Sequence, residues 1–197
     1  MLRIGLTGGI GTGKSTASKI LEKLSAYIFD ADKEAKKILL SNETIKSELI
    51  SEFGTDIMTG DGNVDNNKLA RVAFQDQDHQ LRLNTIVHPY VFKEIDKNFD
   101  RELDSGKHDI FVVDAALIYE SGADTHMDYV IVITALIKTR MERALARETL
   151  SREEILKRMD LQWSEEEKVA LADFVIHNDG PEKELIKNIT DIYKELV

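Results

Sequence analysis

The sequence contains no cysteine, which excludes disulfide bonds, thiolate metal sites and cysteine nucleophiles. This composition fits a reducing compartment. No apolar run approaches the length needed to span a bilayer. The first such run, Leu2 to Leu6, contains Arg3 and is too short for the apolar region of a signal peptide. We therefore expect a cytoplasmic protein that has no membrane partner.

Proline is scarce, and positive charge is in the minority. The 197 residues include two prolines, and 36 acidic residues outnumber 26 basic ones, for a formal net charge of -10. Such a protein is a poor candidate for binding nucleic acid, which needs cations that neutralise phosphates. Any phosphate ligand would require a local concentration of basic residues. The length fits one domain with its own core. A monomer and a small homo-oligomer remain equally compatible with the sequence.

Short apolar runs alternate with helical patterns along the chain. Five of them predict buried β-strands: Arg3–Thr7, Tyr27–Phe29, Ile110–Asp114, Tyr129–Ile133 and Asp173–His177. This alternation predicts an α/β fold with a parallel sheet of about five strands flanked by helices. We expect a single domain whose core comprises about residues 1–32, 108–136 and 166–197.

The stretch 33–107 shows helical patterns and no convincing strand, so we expect it to be a helical insertion. Within it, Asn66 is predicted to cap a helix. Pro89 disfavours helical geometry at His88, which predicts a helix break there.

A glycine-rich loop lies between the first strand and an amphipathic helix predicted over 15–24. The spacing Gly8-x-x-x-x-Gly13-Lys14-Ser15 matches the Walker A motif. Glycines let backbone N–H groups approach a phosphate, and the helix N-terminus favours an anion. Lys14 is predicted to reach the β- and γ-phosphates. The Ser15 hydroxyl is a suitable ligand for Mg²⁺, which prefers oxygen. The loop therefore predicts a P-loop NTPase-type fold that binds a polyphosphate with Mg²⁺.

Three aspartates end predicted strands. Asp30, Asp32 and Asp114 should share one crevice with the loop, because ligands of parallel sheets bind beyond the carboxyl ends of strands. In an extended chain Asp30 and Asp32 point the same way. Phosphoryl transfer needs a carboxylate that orients or deprotonates the acceptor, and Asp32 is the candidate base. Asp114 is a candidate for contact with Mg²⁺ or its water shell. Aspartates after strands also cap helices, so that alternative stays open.

Arginines mark a third candidate region. Arg140, Arg143 and Arg147 have the spacing of one helix face. Such a group can clamp a transferring phosphoryl group. We interpret 137–165 as a helical lid that excludes water. Pairing of these arginines with interleaved glutamates on a solvated face is the alternative.

Two single residues, His88 and Trp163, stand outside these motifs. His88 is equally compatible with a ligand contact and with a structural role. Trp163 is expected to be a packing residue.

Further segments, in order, resemble the dephospho-CoA kinase family. They are Leu6 to Thr16, Asp30-Ala31-Asp32, Arg82-Leu83-Asn84 with His88-Pro89, Arg158-Met159-x-x-Gln162, and Glu166, Lys168, Ala172-Asp173 and Asn178-x-Gly180. The resemblance covers nearly the whole chain. The Walker loop alone is common to many families, whereas the ordered set is specific.

The resemblance implies transfer of the γ-phosphate of ATP to the ribose 3′-hydroxyl of dephospho-CoA, the last step of coenzyme A synthesis. It implies that Asp32, Lys14 and Arg140 are catalytic and that the block 33–107 forms the acceptor side. The nucleotide-binding set is Gly9, Gly11, Thr12, Gly13, Lys14, Ser15, Thr16, Arg143, Arg147 and Asn178, with Asn178 near the adenine. The acceptor-binding set is Asp30, Asp32, Arg82, His88, Tyr119 and Glu120. From the residue pattern described above, Ser15 and Asp114 are the candidate metal ligands.

The sequence departs from the family pattern at two places. Ala115-Ala116 stands where the family has a proline before its leucines, which should loosen that turn but leave Tyr119 and Glu120 in place. Arg140 stands where the family usually has glutamine.

A nucleoside monophosphate kinase shares loop, lid and sheet, and acceptor specificity would distinguish it. A GTPase switch would need an Asn-Lys-x-Asp element to recognise guanine, and this sequence has none. A non-catalytic ATP-binding module is a further alternative, and it would not need Asp32.

Overall fold

The computed structural model describes residues 1–197 and contains a five-stranded parallel sheet. None of its helices combines the length and the apolar character that crossing a membrane requires. The strands are β1 (Leu2–Thr7), β2 (Tyr27–Asp30), β3 (Ile110–Asp114), β4 (Tyr129–Thr134) and β5 (Phe174–His177). All five predicted strands are therefore present, and the predicted fold class is confirmed.

Nine α-helices and two 3₁₀ turns connect the strands. The helices are α1 (Lys14–Lys23), α2 (Ala31–Ser41), α3 (Glu43–Phe53), α4 (Asn66–Ala73), α5 (Gln77–Ser105), α6 (Ile137–Leu145), α7 (Arg152–Asp160), α8 (Glu165–Leu171) and α9 (Glu182–Leu196). The 3₁₀ turns cover Thr55–Ile57 and Ala123–His126.

The chain forms two compact units. The first comprises Met1–Asp30 and Ile95–Val197 and contains the whole sheet. The second comprises Ala31–Glu94 and contains only helices and turns, apart from one isolated bridge between Met58 and Val64.

The strand order in the sheet is β2-β3-β1-β4-β5. The strand that carries the glycine loop, β1, is therefore central, with β3 on one side and β4 on the other. In this register Leu6 pairs with Asp114, and Asp30 pairs with the same Asp114. β3 is buried throughout, β1 from Ile4 onward and β4 from Val130 onward, because helices cover both faces of the sheet, as expected for a parallel sheet.

One face of the sheet packs on the first and last helices. Ile4 and Leu6 of β1 are buried together with Leu21 of α1 and Leu185 and Ile189 of α9. The other face includes an aromatic group in which Phe111 stacks on Tyr27 and meets Phe99 edge-on. This packing fixes β1, and therefore the start of the loop, at the centre of the unit.

In the second unit, α4 begins one residue earlier than its predicted cap implies. Asp65, not Asn66, is the N-cap: its carboxylate accepts from the N–H groups of Asn67 and Lys68, at 2.9 and 3.1 Å. Asp65 has extended backbone geometry, whereas Asn66 is already helical. Aspartate and asparagine are equally good caps, so the sequence alone did not separate these neighbours.

The predicted helix break at His88 is wrong. Helix α5 runs through Pro89 without interruption over 29 residues. A proline removes one hydrogen bond from a helix. Here, burial of Leu83, Val87 and Val91 on one side of α5 fixes the helix on both sides of that position.

Candidate active site

The glycine loop joins β1 to α1 and depends on glycine at two positions. Gly11 and Gly13 have φ of +82° and +100°, a region that side chains rarely adopt. A Cβ at Gly11 would collide with the backbone carbonyl of Arg140, and one at Gly13 with the Asn178 amide. The loop therefore has its shape only with bare backbone at these positions.

A cation and two carboxylates meet beyond the carboxyl ends of the neighbouring strands. Lys14, the first residue of α1, forms an ion pair with Asp114 at the end of β3. Both side chains are largely buried, with 15% and 10% of their surface exposed. Asp30 lies beside Asp114 in the register of β2 and β3. The structure thus brings Lys14, Asp30 and Asp114 to one edge of the sheet.

Asp32 lies in the first turn of α2, in the second unit, and is exposed. The chain is therefore not extended from Asp30 to Asp32, and the expectation that both side chains point the same way for that reason is wrong. The strand ends at Asp30, and helical geometry begins immediately at Ala31.

The first half of the loop is held by an ion pair from the region predicted to be a lid. Glu165 accepts a hydrogen bond from the Gly9 N–H at 3.2 Å and pairs with Arg140 at 3.3 Å. Arg140 Nε donates to the carbonyl of Ile10 at 3.0 Å. Arg140 is buried, with 9% of its side chain exposed. In this arrangement Arg140 binds the backbone of the loop.

The second half of the loop is held by the residue that follows β5. The Asn178 amide donates to the Thr12 carbonyl at 2.8 Å, and Arg143 donates to the Asn178 carbonyl at 2.9 Å. Arg147 lies beyond the end of α6 and is exposed, so the expectation of a single helix face shared with Arg140 and Arg143 is wrong. The helix ends at Leu145, and positive φ at Glu148 redirects the chain.

A fully buried lysine connects α8 to the segment after β3. Lys168 donates to the Ala116 carbonyl at 3.0 Å and pairs with Glu120 at 2.8 Å. The Thr7 hydroxyl donates to the same carbonyl at 3.2 Å. These two hydrogen bonds hold the turn where the family pattern has a proline.

Tyr119 and Glu120 occupy a buried polar region beside Trp163. The rings of Tyr119 and Trp163 are nearly parallel, with centroids 6.4 Å apart, and Glu120 accepts from the backbone N–H of Trp163 at 2.9 Å. Burial, together with the charges of Asp173 and Asp124, raises the pKa of the Tyr119 phenol to about 12. Four buried polar atoms in this unit have no hydrogen-bond partner: Tyr119 Oη, Glu120 Oε2, Gln162 Oε1 and Glu165 Oε2.

The remaining two predicted acceptor-side residues lie on α5 in the second unit. Arg82 is exposed and forms ion pairs with Glu52 and Asp78, each at 2.8 Å. His88 is half-buried, and this burial lowers the pKa of its imidazole. Its ring lies 5.9 Å from that of Phe92.

Two residues of the site were not assigned a role from the sequence. Glu165 and Lys168 lie three apart on α8, so both project from one side of that helix. In the sequence they belong to a charge-rich stretch behind a capping box, which is typical of a solvated helix. Their spacing was the one available signal, since charges at positions i and i+3 lie on the same side of a helix. Their partners could not be identified, because they lie far away in the chain.

Comparison with known proteins gives consistent matches over the chain. The family model described as dephospho-CoA kinase matches residues 2–184. A dephospho-CoA kinase from Carboxydothermus hydrogenoformans is 42% identical over 177 residues, covering 90% of this chain and 85% of the relative. One from Aquifex aeolicus is 37% identical over 100% of this chain and 98% of its own. A solved dephospho-CoA kinase from Campylobacter jejuni superposes with a TM-score of 0.70 at 28% identity, covering 98% and 96% of the two chains.

Proposed function

The chain belongs to the dephospho-CoA kinase family, and from this membership we propose that it completes coenzyme A synthesis. It transfers the γ-phosphoryl group of ATP to the ribose 3′-hydroxyl of dephospho-CoA, and it releases ADP and coenzyme A. The observation that carries this assignment is the family match over residues 2–184. The loop with the Lys14–Asp114 pair at its end supplies the chemistry that the assignment requires.

In the proposed mechanism, the backbone N–H groups of Gly11 to Thr16 bind the phosphates of ATP, and Lys14 neutralises charge on the transferring group. Phosphoryl transfer depends mainly on positioning and electrostatic stabilisation. Asp32 accepts the proton of the 3′-hydroxyl while the new oxygen–phosphorus bond forms and the bond to ADP breaks. Asp30 contributes to the acceptor side, together with Arg82, His88, Tyr119 and Glu120.

The residues at the loop fit a bound Mg²⁺. The Ser15 hydroxyl and the Asp114 carboxylate would supply oxygen ligands to the ion, which Mg²⁺ prefers. The protein has no group of three or more histidine, cysteine or acidic side chains placed to hold a metal without other ligands. This is compatible with Mg²⁺, which usually binds through one or two protein groups together with substrate phosphates. When bound, the ion neutralises charge on the β- and γ-phosphates.

The helical region 137–165 serves as the lid in this proposal. Arg140 positions the loop through Ile10 and Glu165, and Arg143 supports the nucleotide side through Asn178. Exposed Arg147 is available to the phosphates. Use of ATP supports a cytoplasmic location, and a monomer or a small homo-oligomer is compatible with this function.

ADP release in the presence of Mg-ATP and different acceptors tests the proposal. We expect turnover with dephospho-CoA and background rates with AMP, CMP, dTMP or no acceptor. The position of the new phosphate is checked by NMR of the product, which should be the 3′-phosphate. Efficient turnover of a nucleoside monophosphate instead would contradict the acceptor assignment and leave the phosphate-loop interpretation intact.

A further inference from the structure

Trp163 presents an aromatic surface next to a buried polar region. Its ring is within 6° of parallel to that of Tyr119, with centroids 6.4 Å apart. Fully overlapped rings would lie only about 3.5–4 Å apart. The two rings are therefore either offset or separated, and in both arrangements part of the indole face is not covered by Tyr119. Trp163 is 42% exposed.

Three unpartnered oxygen atoms belong to the residues that adjoin this surface: the Tyr119 hydroxyl and two acceptors. Glu120 Oε1 accepts from the backbone N–H of Trp163 and from Lys168, whereas Oε2 of the same carboxylate has no partner. The Glu120 side chain is 9% exposed. Gln162, which precedes Trp163, also has a buried Oε1 without a partner. Buried acceptors without donors are costly, so a ligand that binds here should supply N–H or O–H groups.

These features together define the ligand chemistry. An open indole face favours a flat aromatic group, because bases stack well on aromatic side chains. Free carboxylate and amide oxygens favour an amino group, and the carboxylate disfavours a phosphate. Adenine has both an aromatic plane and a 6-amino group that can donate two hydrogen bonds.

Both substrates of the proposed reaction contain adenine, and the sheet order separates the two possible sites. Asn178, which binds the loop, follows β5, whereas Tyr119 and Glu120 follow β3. β1 lies between these two sides of the sheet. If the ATP base is near Asn178, the base next to Trp163 belongs to the acceptor.

We propose that Trp163, Tyr119, Glu120 and Gln162 form the subsite for the adenine base of the acceptor. The base stacks on Trp163, and its 6-amino group donates to Glu120 Oε2 and Gln162 Oε1. Lys168 is a positioning residue, since it fixes the Glu120 carboxylate through Oε1. This inference rests on the proposed function, because it assumes dephospho-CoA as the acceptor.

Steady-state kinetics of Trp163→Ala and Trp163→Phe provide the first test. We expect Trp163→Ala to raise KM for dephospho-CoA about tenfold, in line with the loss of one stacking contact, while KM for ATP changes less than twofold. Trp163→Phe should have a smaller effect. Ile186→Ala on α9, with 44% exposure, is the matched control and should behave like the wild type. An unchanged KM for dephospho-CoA in Trp163→Ala would overturn the proposal, and so would an equal rise in KM for ATP.

Trp163 is the only tryptophan in the chain, so its fluorescence reports directly on the subsite. We expect dephospho-CoA to quench it and 4′-phosphopantetheine, which has no base, to leave it nearly unchanged. Quenching by 4′-phosphopantetheine to the same extent would overturn the assignment of the base. Turnover of dephospho-CoA by the wild type is measured in parallel, because its absence would refute the function, whereas turnover without quenching would refute only the subsite.

An acceptor with hypoxanthine in place of adenine tests the hydrogen bonds separately from folding. This analogue replaces the 6-amino group by a carbonyl oxygen, which would face two other oxygens. We expect the wild type to prefer dephospho-CoA over the analogue by about tenfold in kcat/KM, and Gln162→Leu to reduce this preference several-fold. A merely structural role of Gln162 would change both acceptors equally, and that result would overturn its assignment.

Discussion

Lys14 is the cation that the fold places at the end of the loop, and its ion pair with Asp114 keeps it near the carboxyl ends of β1 and β3. Replacing it by alanine should lower kcat about 10²–10³-fold, the typical effect of removing one group that stabilises transition-state charge. Lys19→Ala, an exposed lysine on the same helix, is the control and should keep normal kcat. An unchanged kcat in Lys14→Ala would contradict the phosphate-loop interpretation.

Asp32 is the proposed base, and its position at the start of α2 leaves it exposed. Asp32→Asn keeps the shape of the side chain but cannot accept the proton. We expect kcat to fall about 10²–10⁴-fold, with ATP affinity nearly unchanged. Asp56→Asn, which changes another exposed aspartate of the second unit, controls for loss of charge. If Asp32→Asn retained near-normal turnover, the protein would need a different base, or none.

The raised pKa of Tyr119 makes the free energy of unfolding depend on pH in the alkaline range. Because its pKa is raised from 10.0 to about 12, the folded protein binds more protons than the unfolded chain between these values. The free energy of unfolding should therefore decrease as pH rises from about 10 to 12. Tyr119→Phe removes this contribution and also removes a buried hydroxyl that has no partner.

Urea unfolding of the wild type and of Tyr119→Phe across pH 9–11.5 measures this effect. The variant should lose less stability at the alkaline end, while the other tyrosines contribute equally to both proteins. Identical pH slopes for the two proteins would show that the phenol titrates in the folded state as it does in the unfolded chain.

Helix α8 is short, so its N-cap should contribute substantially to its stability. It is seven residues long and carries both Glu165 and Lys168. Ser164 forms a capping box with Glu167, and Ser151 forms the same motif with Glu154 at the start of α7. Ser164→Ala should lower the free energy of unfolding by about 1 kcal/mol.

Urea unfolding checks this prediction with two comparisons. Ser151→Ala should cost a similar amount, because the hydrogen bonds of the two boxes are alike. Ser47→Ala, at an exposed position inside α3, should cost nothing, since alanine is the better helix former there. Ser164→Ala with the stability of Ser47→Ala would mean that the capping box does not hold α8.

Elements that depend on local chemistry were predictable from the sequence, and those that depend on distant partners were not. The two Ser-x-x-Glu sequences, Ser151 to Glu154 and Ser164 to Glu167, form the capping boxes that this spacing is typical of, because the hydrogen bonds involve residues only three apart. The five strands are also confirmed, since each is a short apolar run, and the three central ones are the most fully buried. The continuity of α5 through Pro89 was missed because it depends on side chains buried along its length rather than on the proline.

The candidate site shows the same division. The spacing of Gly8, Gly13, Lys14 and Ser15 identified the loop, and the sheet register brings Asp30 beside Asp114 as expected. The hydrogen bonds that join the loop to Glu165 and Asn178 connect residues more than 150 positions apart in the chain, and no local sequence pattern predicts them. The functional roles of these residues stay predictions until the variants are measured.

On the scale of the whole molecule, nucleotide binding should stabilise the fold. The loop, the end of β3, α8 and the segment after β5 are joined by ion pairs and hydrogen bonds around the proposed nucleotide site. A ligand that binds only the folded state at 100 times its Kd adds about 2.7 kcal/mol to the free energy of unfolding. For a chain of this length, that corresponds to a rise in Tm of roughly 5–10 °C.

Thermal unfolding with and without Mg-ATP therefore tests the nucleotide site independently of the acceptor. The wild type should show the full rise in Tm, and the same rise should occur in Asp32→Asn, because the proposed base does not contribute to ATP binding. Lys14→Ala should show a much smaller rise, since it removes the cation at the phosphates. A rise that survives in Lys14→Ala but disappears in Asp32→Asn would reverse the proposed roles, and would place the nucleotide at the second unit rather than at the glycine loop.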